Sequence, residues 1–221
     1  MTRDNDRLSD NILTIAKELA NQLKVNTETR RVEWLDPSQR IESSRSGLPK
    51  GITPTFPSDQ CYFENDAIIL PSVLKRRLAI EELGPLIASA LIFEKKKLIR
   101  IALAEAALVL AMILSVSAVI FFFQRLGPEG LILMVILSVI VGFPILMLLP
   151  LPYRMGRVSA DRSASLLVGR EHFLQTLEKI DSYRFPDVER LKYSQFARIR
   201  STLPSITQRI RVVERSSGDG C

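Results

Sequence analysis

Apolar residues follow three different rhythms along this chain of 221 residues. In LSDNILTIAKELANQLK (8–24) they recur every three or four positions. This puts Ile12, Ile15, Ala16, Leu19, Ala20 and Leu23 on one side and predicts an amphipathic helix capped by Ser9 or Asp10. RVEW (31–34) alternates as a short strand does, and CYFENDAIIL (61–70) predicts a second pair of strands. Between them, residues 36–59 hold four Pro and two Gly among polar neighbours and read as an irregular loop. Pro71 opens a helical stretch. EELGPLIASALIFEKKKLIRIAL (81–103) then reads as one helix, with Pro85 tolerated in its first turn. RVSADRSASLLVG (157–169), stopped by Gly169, and EHFLQTLEKIDSY (171–183) predict two more amphipathic helices. Residues 185–215 add helix broken at Pro204, and SSGDGC (216–221) reads as a disordered tail.

The third rhythm is unbroken hydrophobicity. Ala106 to Phe123 is an uncharged run of 18 residues, and Leu131 to Tyr153 one of 23. A helix rises about 1.5 Å per residue, so about 20 residues cross a hydrocarbon core of roughly 30 Å. With their flanks, these runs predict two membrane spans, Leu98 to Phe123 and Leu131 to Tyr153. The turn QRLGPEG (124–130) makes them an antiparallel hairpin. Pro144, with Gly142, predicts a kink in the second span, and Glu105 is expected at headgroup level near the start of the first.

Charge follows the same division. Residues 1–97 carry 15 Lys+Arg and 14 Asp+Glu, residues 98–153 only 2 of each, and residues 154–221 carry 13 and 8. The net +6 therefore lies outside the apolar block. Lys95, Lys96, Lys97 and Arg100 precede the first span, and Arg154, Arg157 and Arg162 follow the second. By the positive-inside rule both termini are cytoplasmic, with the cell membrane as the expected location. Beside two spans these cations suit anionic headgroups better than nucleic acid. MTRDNDRLSD is polar and does not read as a signal peptide. Cys61 and Cys221 fit neither a disulfide nor a metal-ligand spacing.

The predicted fold is mainly α with a small β element. It divides into an N-terminal cytoplasmic part (1–97), the transmembrane helical hairpin (98–153), C-terminal cytoplasmic helices (154–215) and the tail (216–221).

Four segments in this order resemble the HtpX-type membrane zinc metallopeptidases, the family that includes the CAAX prenyl proteases. NDAIILPSVLKRRLAIEELGPLIASAL is similar to the family's strand, helix and zinc-helix approach, and the hairpin follows directly. RVSADRSASLLVG resembles the E-x-x-A-D-R-x-A-x-x-L-x-G helix, and TLPSITQRIRVVE the closing T-H-P-x-x-x-x-R-I segment. The resemblance runs through roughly residues 11–215 and implies a gluzincin-like scaffold around the hairpin.

It also implies that the chemistry is gone. Active members hold zinc with the two His of H-E-x-x-H and a Glu of the later helix, and the motif's Glu is the general base. Those positions read Ser89, Ala90 and Phe93 here, the third ligand falls on Arg157, and the closing His is Leu203. The one His of the chain, His172, has no partner ligands, and Glu81, Glu82 and Glu94 are expected to serve the helix dipole and neighbouring lysines. Asp161, Arg162, Arg209 and Ile210 retain the scaffold motifs. No cofactor, metal or nucleic acid is expected, and the partners are the lipid bilayer and other membrane protein subunits. The implied function is a catalytically inactive pseudo-peptidase that acts as an accessory, regulatory or structural subunit of a membrane complex. Two alternatives stay open: a divergent membrane-bound peptidase with unrecognised catalytic residues, for which Ser89 would be the nucleophile, and a two-span scaffold unrelated to peptidases.

Overall fold

The computed structural model describes residues 2–25, 29–36, 57–64, 66–96, 150–201 and 203–216, and between them 106–107, 110–111, 113–115, 117–118 and 120–121. The fold is mainly helical with one three-stranded sheet. Helix α1 (Thr2–Leu23) precedes strands β1 (Arg31–Leu35), β2 (Tyr62–Glu64) and β3 (Ala67–Pro71). A 3-10 turn (Ser72–Leu74) leads to helix α2 (80–96). Beyond the apolar block come α3 (Pro150–Val168), α4 (Arg170–Ser182), α5 (Pro186–Tyr193), α6 (Gln195–Arg200) and α7 (Ile206–Arg215).

AIILP becomes the middle strand because it is apolar throughout and is buried at every residue. The order is β1-β3-β2, with β3 parallel to β1 (Val32 beside Ile68) and antiparallel to β2 (Phe63 beside Ile68). Ile12, Ala16, Leu19 and Ala20 of α1, Ile68 and Leu70 of β3, Leu83, Ile87 and Leu91 of α2, Ala160 and Ala164 of α3, Phe173 and Leu177 of α4, and Val213 of α7 form one apolar cluster. The segments on either side of the hydrophobic block thus share a core.

Helix α1 starts at Thr2, ahead of the predicted cap at Ser9 or Asp10. TRDNDRL lacks apolar periodicity but contains no Gly or Pro to stop a helix, so the turns continue past the amphipathic stretch. Pro71 both closes β3 and caps the short 3-10 helix Ser72–Leu74, so the helical stretch expected after it begins as a single 3-10 turn. Helix α2 begins after Ala79, whose N–H is accepted by Glu82 at 2.7 Å, the reciprocal half of a capping box. Pro85 consequently lies in the second turn, where its missing N–H would leave the Glu81 carbonyl unpaired. His172 fills the vacancy: its Nε2 is 3.2 Å from that oxygen, and since a carbonyl only accepts, Nε2 carries the hydrogen. Gly169, at φ 92, turns the chain between α3 and α4 in a conformation that costs a side-chain-bearing residue more.

Among the described residues no helix is long and apolar enough to cross a membrane. The proposed first span falls on described residues only within 106–121. All of these are helical, and Leu110, Ile113, Leu114, Ile120 and Phe121 are each more than half exposed. Of the second, only 150–153 is described, as the start of α3. Glu105, Gly142, Pro144, Lys97, Arg100, the turn 124–130, most of the loop 36–59 and Cys221 lie outside the described residues.

Candidate functional site

Ser89 and Phe93 are one helical turn apart on α2, and Arg157 and Asp161 one turn apart on α3, so each pair shares a face. The two faces meet. Ser89 Oγ donates to Asp161 Oδ1 at 2.5 Å, and the Arg157 guanidinium lies 4.0 Å from the centre of the Phe93 ring. Phe93 and Arg157, two of the positions that the resemblance equates with zinc ligands, thus meet across the apolar block, and Ser89 reaches Asp161, 72 residues further along the chain. Ala90 is buried beside them, while Arg162 is exposed and Leu203 is half-buried between α6 and α7.

Helix α7 completes the site. Arg209 presents a two-pronged donor to Asp161, Nε to Oδ2 at 2.8 Å and Nη2 to Oδ1 at 3.0 Å. Its Nη1 reaches Asp59, bonding the backbone oxygen at 2.7 Å and Oδ2 at 3.1 Å. Asp59, Ser89, Asp161 and Arg209 are all buried. Burial, the largest influence on Arg209, acts against its charge, but Asp161 and Asp59 outweigh it and raise its pKa above the ordinary arginine value. For Asp59 the balance falls the other way: burial raises the carboxyl above its ordinary range despite Arg209. The loop that carries Asp59 is tied to α5 by Ser58, whose N–H and hydroxyl donate to Asp187 at 2.7 and 2.8 Å.

Arg157 is held in another way. Its guanidinium lies between two aromatic faces, Phe93 at 4.0 Å and Tyr62 at 4.5 Å, and Nη1 approaches the Cys61 carbonyl at 3.5 Å. Phe93 also packs against Tyr153, with ring centres 5.7 Å apart. Cys61 precedes β2 and is not part of the strand. Its Sγ is 3.2 Å from the Leu86 carbonyl, and burial pushes the thiol up to about 12. Burial likewise pushes the Tyr62 phenol up to about 12.

Arg209 thus bonds both Asp59 and Asp161, while Arg157 lies beside them between two rings. A guanidinium has no lone pair to give a metal, and Ala90 offers only a methyl group. The Ser89 proton is directed at a carboxylate already clasped by Arg209, an arrangement that holds the hydroxyl without freeing a base to activate it. Among the described residues no three His, Cys, Asp or Glu converge as metal ligands. His172 supports the α2 backbone. Glu82 caps α2 and pairs with Lys179 at 2.7 Å, which lowers its pKa although burial acts the other way.

Asp161 and Arg209 are marked separately in the sequence, each by its own motif, and the fold pairs them across two neighbouring helices. Asp59 and Tyr62 were not foreseen, and the proline-rich approach to Asp59 carries no pattern that would have marked it.

No protein-family model matches the chain, and neither does any curated protein or any solved structure.

Proposed function

We propose that this chain is a catalytically inactive relative of the HtpX-type membrane metallopeptidases, anchored by a two-span hairpin with cytoplasmic termini. Its cytoplasmic face serves as an accessory or regulatory subunit of a membrane protein complex. The observation that carries this reading is the convergence of Ser89, Phe93, Arg157 and Asp161, whose residue types fill a ligand site with a hydroxyl, a ring and a cation. In an active relative the residue at the Asp161 position would orient a zinc-bound His. In this chain it accepts from Ser89 and Arg209, which turns a metal-supporting residue into a clasp between three helices.

The hairpin rests on the two uncharged runs and on the outward-facing Leu110, Ile113, Leu114, Ile120 and Phe121, side chains that suit lipid better than water. An accessory role follows from a scaffold that keeps its ion pairs but offers no free nucleophile, base or ligand in this cluster.

Metal analysis of the purified full-length protein, with a protease assay alongside, tests the proposal. The expected result is no stoichiometric zinc and no activity that Ser89→Ala removes. Stoichiometric zinc with chelator-sensitive proteolysis would overturn it, as would proteolysis lost on Ser89→Ala. Co-purification in mild detergent should then recover a membrane protein partner in a fixed ratio.

A further inference from the structure

Helices α1, α4 and α7 turn polar residues outward, as amphipathic helices do. The exposed residues of α4 are Glu171, Gln175, Glu178 and Ser182, and those of α7 are Arg211, Glu214 and Arg215. Every exposed residue described in α1 is likewise polar or charged. Helix α3 is inverted. Its described exposed residues are Leu151, Met155, Arg162, Leu166 and Leu167, four of the five large and apolar. Met155 is 67% exposed and Leu166 75%. At 3.6 residues per turn, Leu151, Met155, Arg162 and Leu166 fall within about 60° of one another. Arg157, Ala160 and Ala164, all buried, lie on the opposite side. The outermost line of α3 is therefore an apolar strip about 22 Å long, with a packed face behind it.

The strip needs a cover. A stable interface between proteins buries roughly 800 Å² on each partner, far more than a single row of side chains supplies. A helix lying on a membrane needs less: one apolar row that reaches roughly 5–10 Å into the boundary between headgroups and acyl chains. The strip begins inside the uncharged run Leu131 to Tyr153, so on the membrane reading above its first residue is already at the bilayer. Pro150 and Pro152 stand in the first turn of α3, where the fixed φ and missing N–H of proline suit the start of a helix. No acidic side chain lies on the strip, and its one charge, Arg162, has the sign and length that suit a headgroup layer.

We infer that α3 lies flat in the membrane–water interface, with Leu151, Met155 and Leu166 dipped among the lipids and the shared core beneath it. The inference rests on the membrane reading above and adds the face by which the water-compatible part lies against the bilayer. An upright α3 would keep Leu151 in lipid but carry Leu166 about 22 Å away into water. Leu166 is the position that decides.

The test uses full-length protein in vesicles of phosphatidylcholine and phosphatidylglycerol, with Cys221→Ser leaving only the buried Cys61. An environment-sensitive fluorophore is attached through Leu151→Cys, Met155→Cys or Leu166→Cys, with Glu178→Cys on the exposed side of α4 as the control. All three α3 positions should shift to the blue. They should lose more emission to lipid spin-labelled high on its acyl chain than to lipid labelled at the chain end, while Glu178 stays in water. Water-like emission at Leu166 would overturn the inference, whatever Leu151 shows. Blue-shifted emission that neither lipid quenches would also overturn it, since protein would then cover the strip. Alkaline extraction of whole membranes reads the spans separately. Release into the wash removes the hairpin and leaves quenching at Leu166 to decide α3, whereas retention with a water-like Leu166 keeps the hairpin and removes the flat helix.

Discussion

Arg209 faces carboxylates, Asp161 through a two-pronged bond and Asp59 through one nitrogen, whereas Arg157 on the neighbouring helix faces the rings of Phe93 and Tyr62. Both arginines are buried, at 2% and 5% exposure, so each had to give up water. The difference lies in what each would leave behind. Removing Arg209 strands two buried acids, and breaking one side of a buried ion pair costs about 3–5 kcal/mol. Removing Arg157 strands two rings and a carbonyl, and rings do not need a cation. The comparison separates a charge that the fold requires from one that the fold accommodates.

The largest effect should therefore come from Arg209→Met, a loss of about 3–5 kcal/mol in denaturant unfolding. Cys61 gives a second reading of the same event. Its thiol, pushed up to about 12 by burial, should resist alkylation at pH 8 in a Cys221→Ser background and become reactive in Arg209→Met only through opening of the fold, since loss of the cation alone would push the thiol further up. Asp59→Asn should cost less, about 1 kcal/mol, because burial already holds the carboxyl above its ordinary range and the amide keeps an oxygen for Arg209. A native pKa above the unfolded value means the ionised form opposes folding. Wild-type stability should therefore gain relative to Asp59→Asn as pH falls through the raised value. Arg157→Met should cost about 1 kcal/mol or less, the scale of a cation–aromatic contact replaced by an apolar side chain of similar length. A loss as large as that of Arg209→Met would end the distinction between the two sites.

Lys179→Ala should have the smallest effect. The Glu82 pKa is lowered and that of Lys179 raised by their mutual bond. The carboxylate's contribution is present above its unfolded pKa and lost as pH falls through the lowered native one. The variant should therefore differ from wild type at pH 7 and converge with it near pH 3, since the pair is open to solvent screening.

The local elements were largely legible. The period of α1, the alternation before and within the sheet, and the breaks at Gly169 and Pro204 are short-range signals, and helices and strands form where they indicate. Pairing across long separations was not. Arg209 lies 48 residues from Asp161 and 150 from Asp59, and periodicity shows which face of a helix is turned inward but not what it meets. The sequence marked positions 89, 93, 157 and 161 only through a family pattern. Pro85 shows the reverse case: its cost was visible locally, but the remedy came from His172, 91 residues from the carbonyl it serves.

The separation between Asp59 and Arg209 also orders events at the ribosome. Asp59 emerges 150 residues before its counter-ion, and the apolar block is translated in between. A nascent chain that ends short of α7 carries Asp59 and Asp161 into a core that cannot yet neutralise them, so the cluster that joins α2, α3 and α7 closes only after the hydrophobic segments have been synthesised. Of the residues in that cluster Arg209 is the last to be synthesised, so its bonds to Asp59 and Asp161 are the last of the cluster to form.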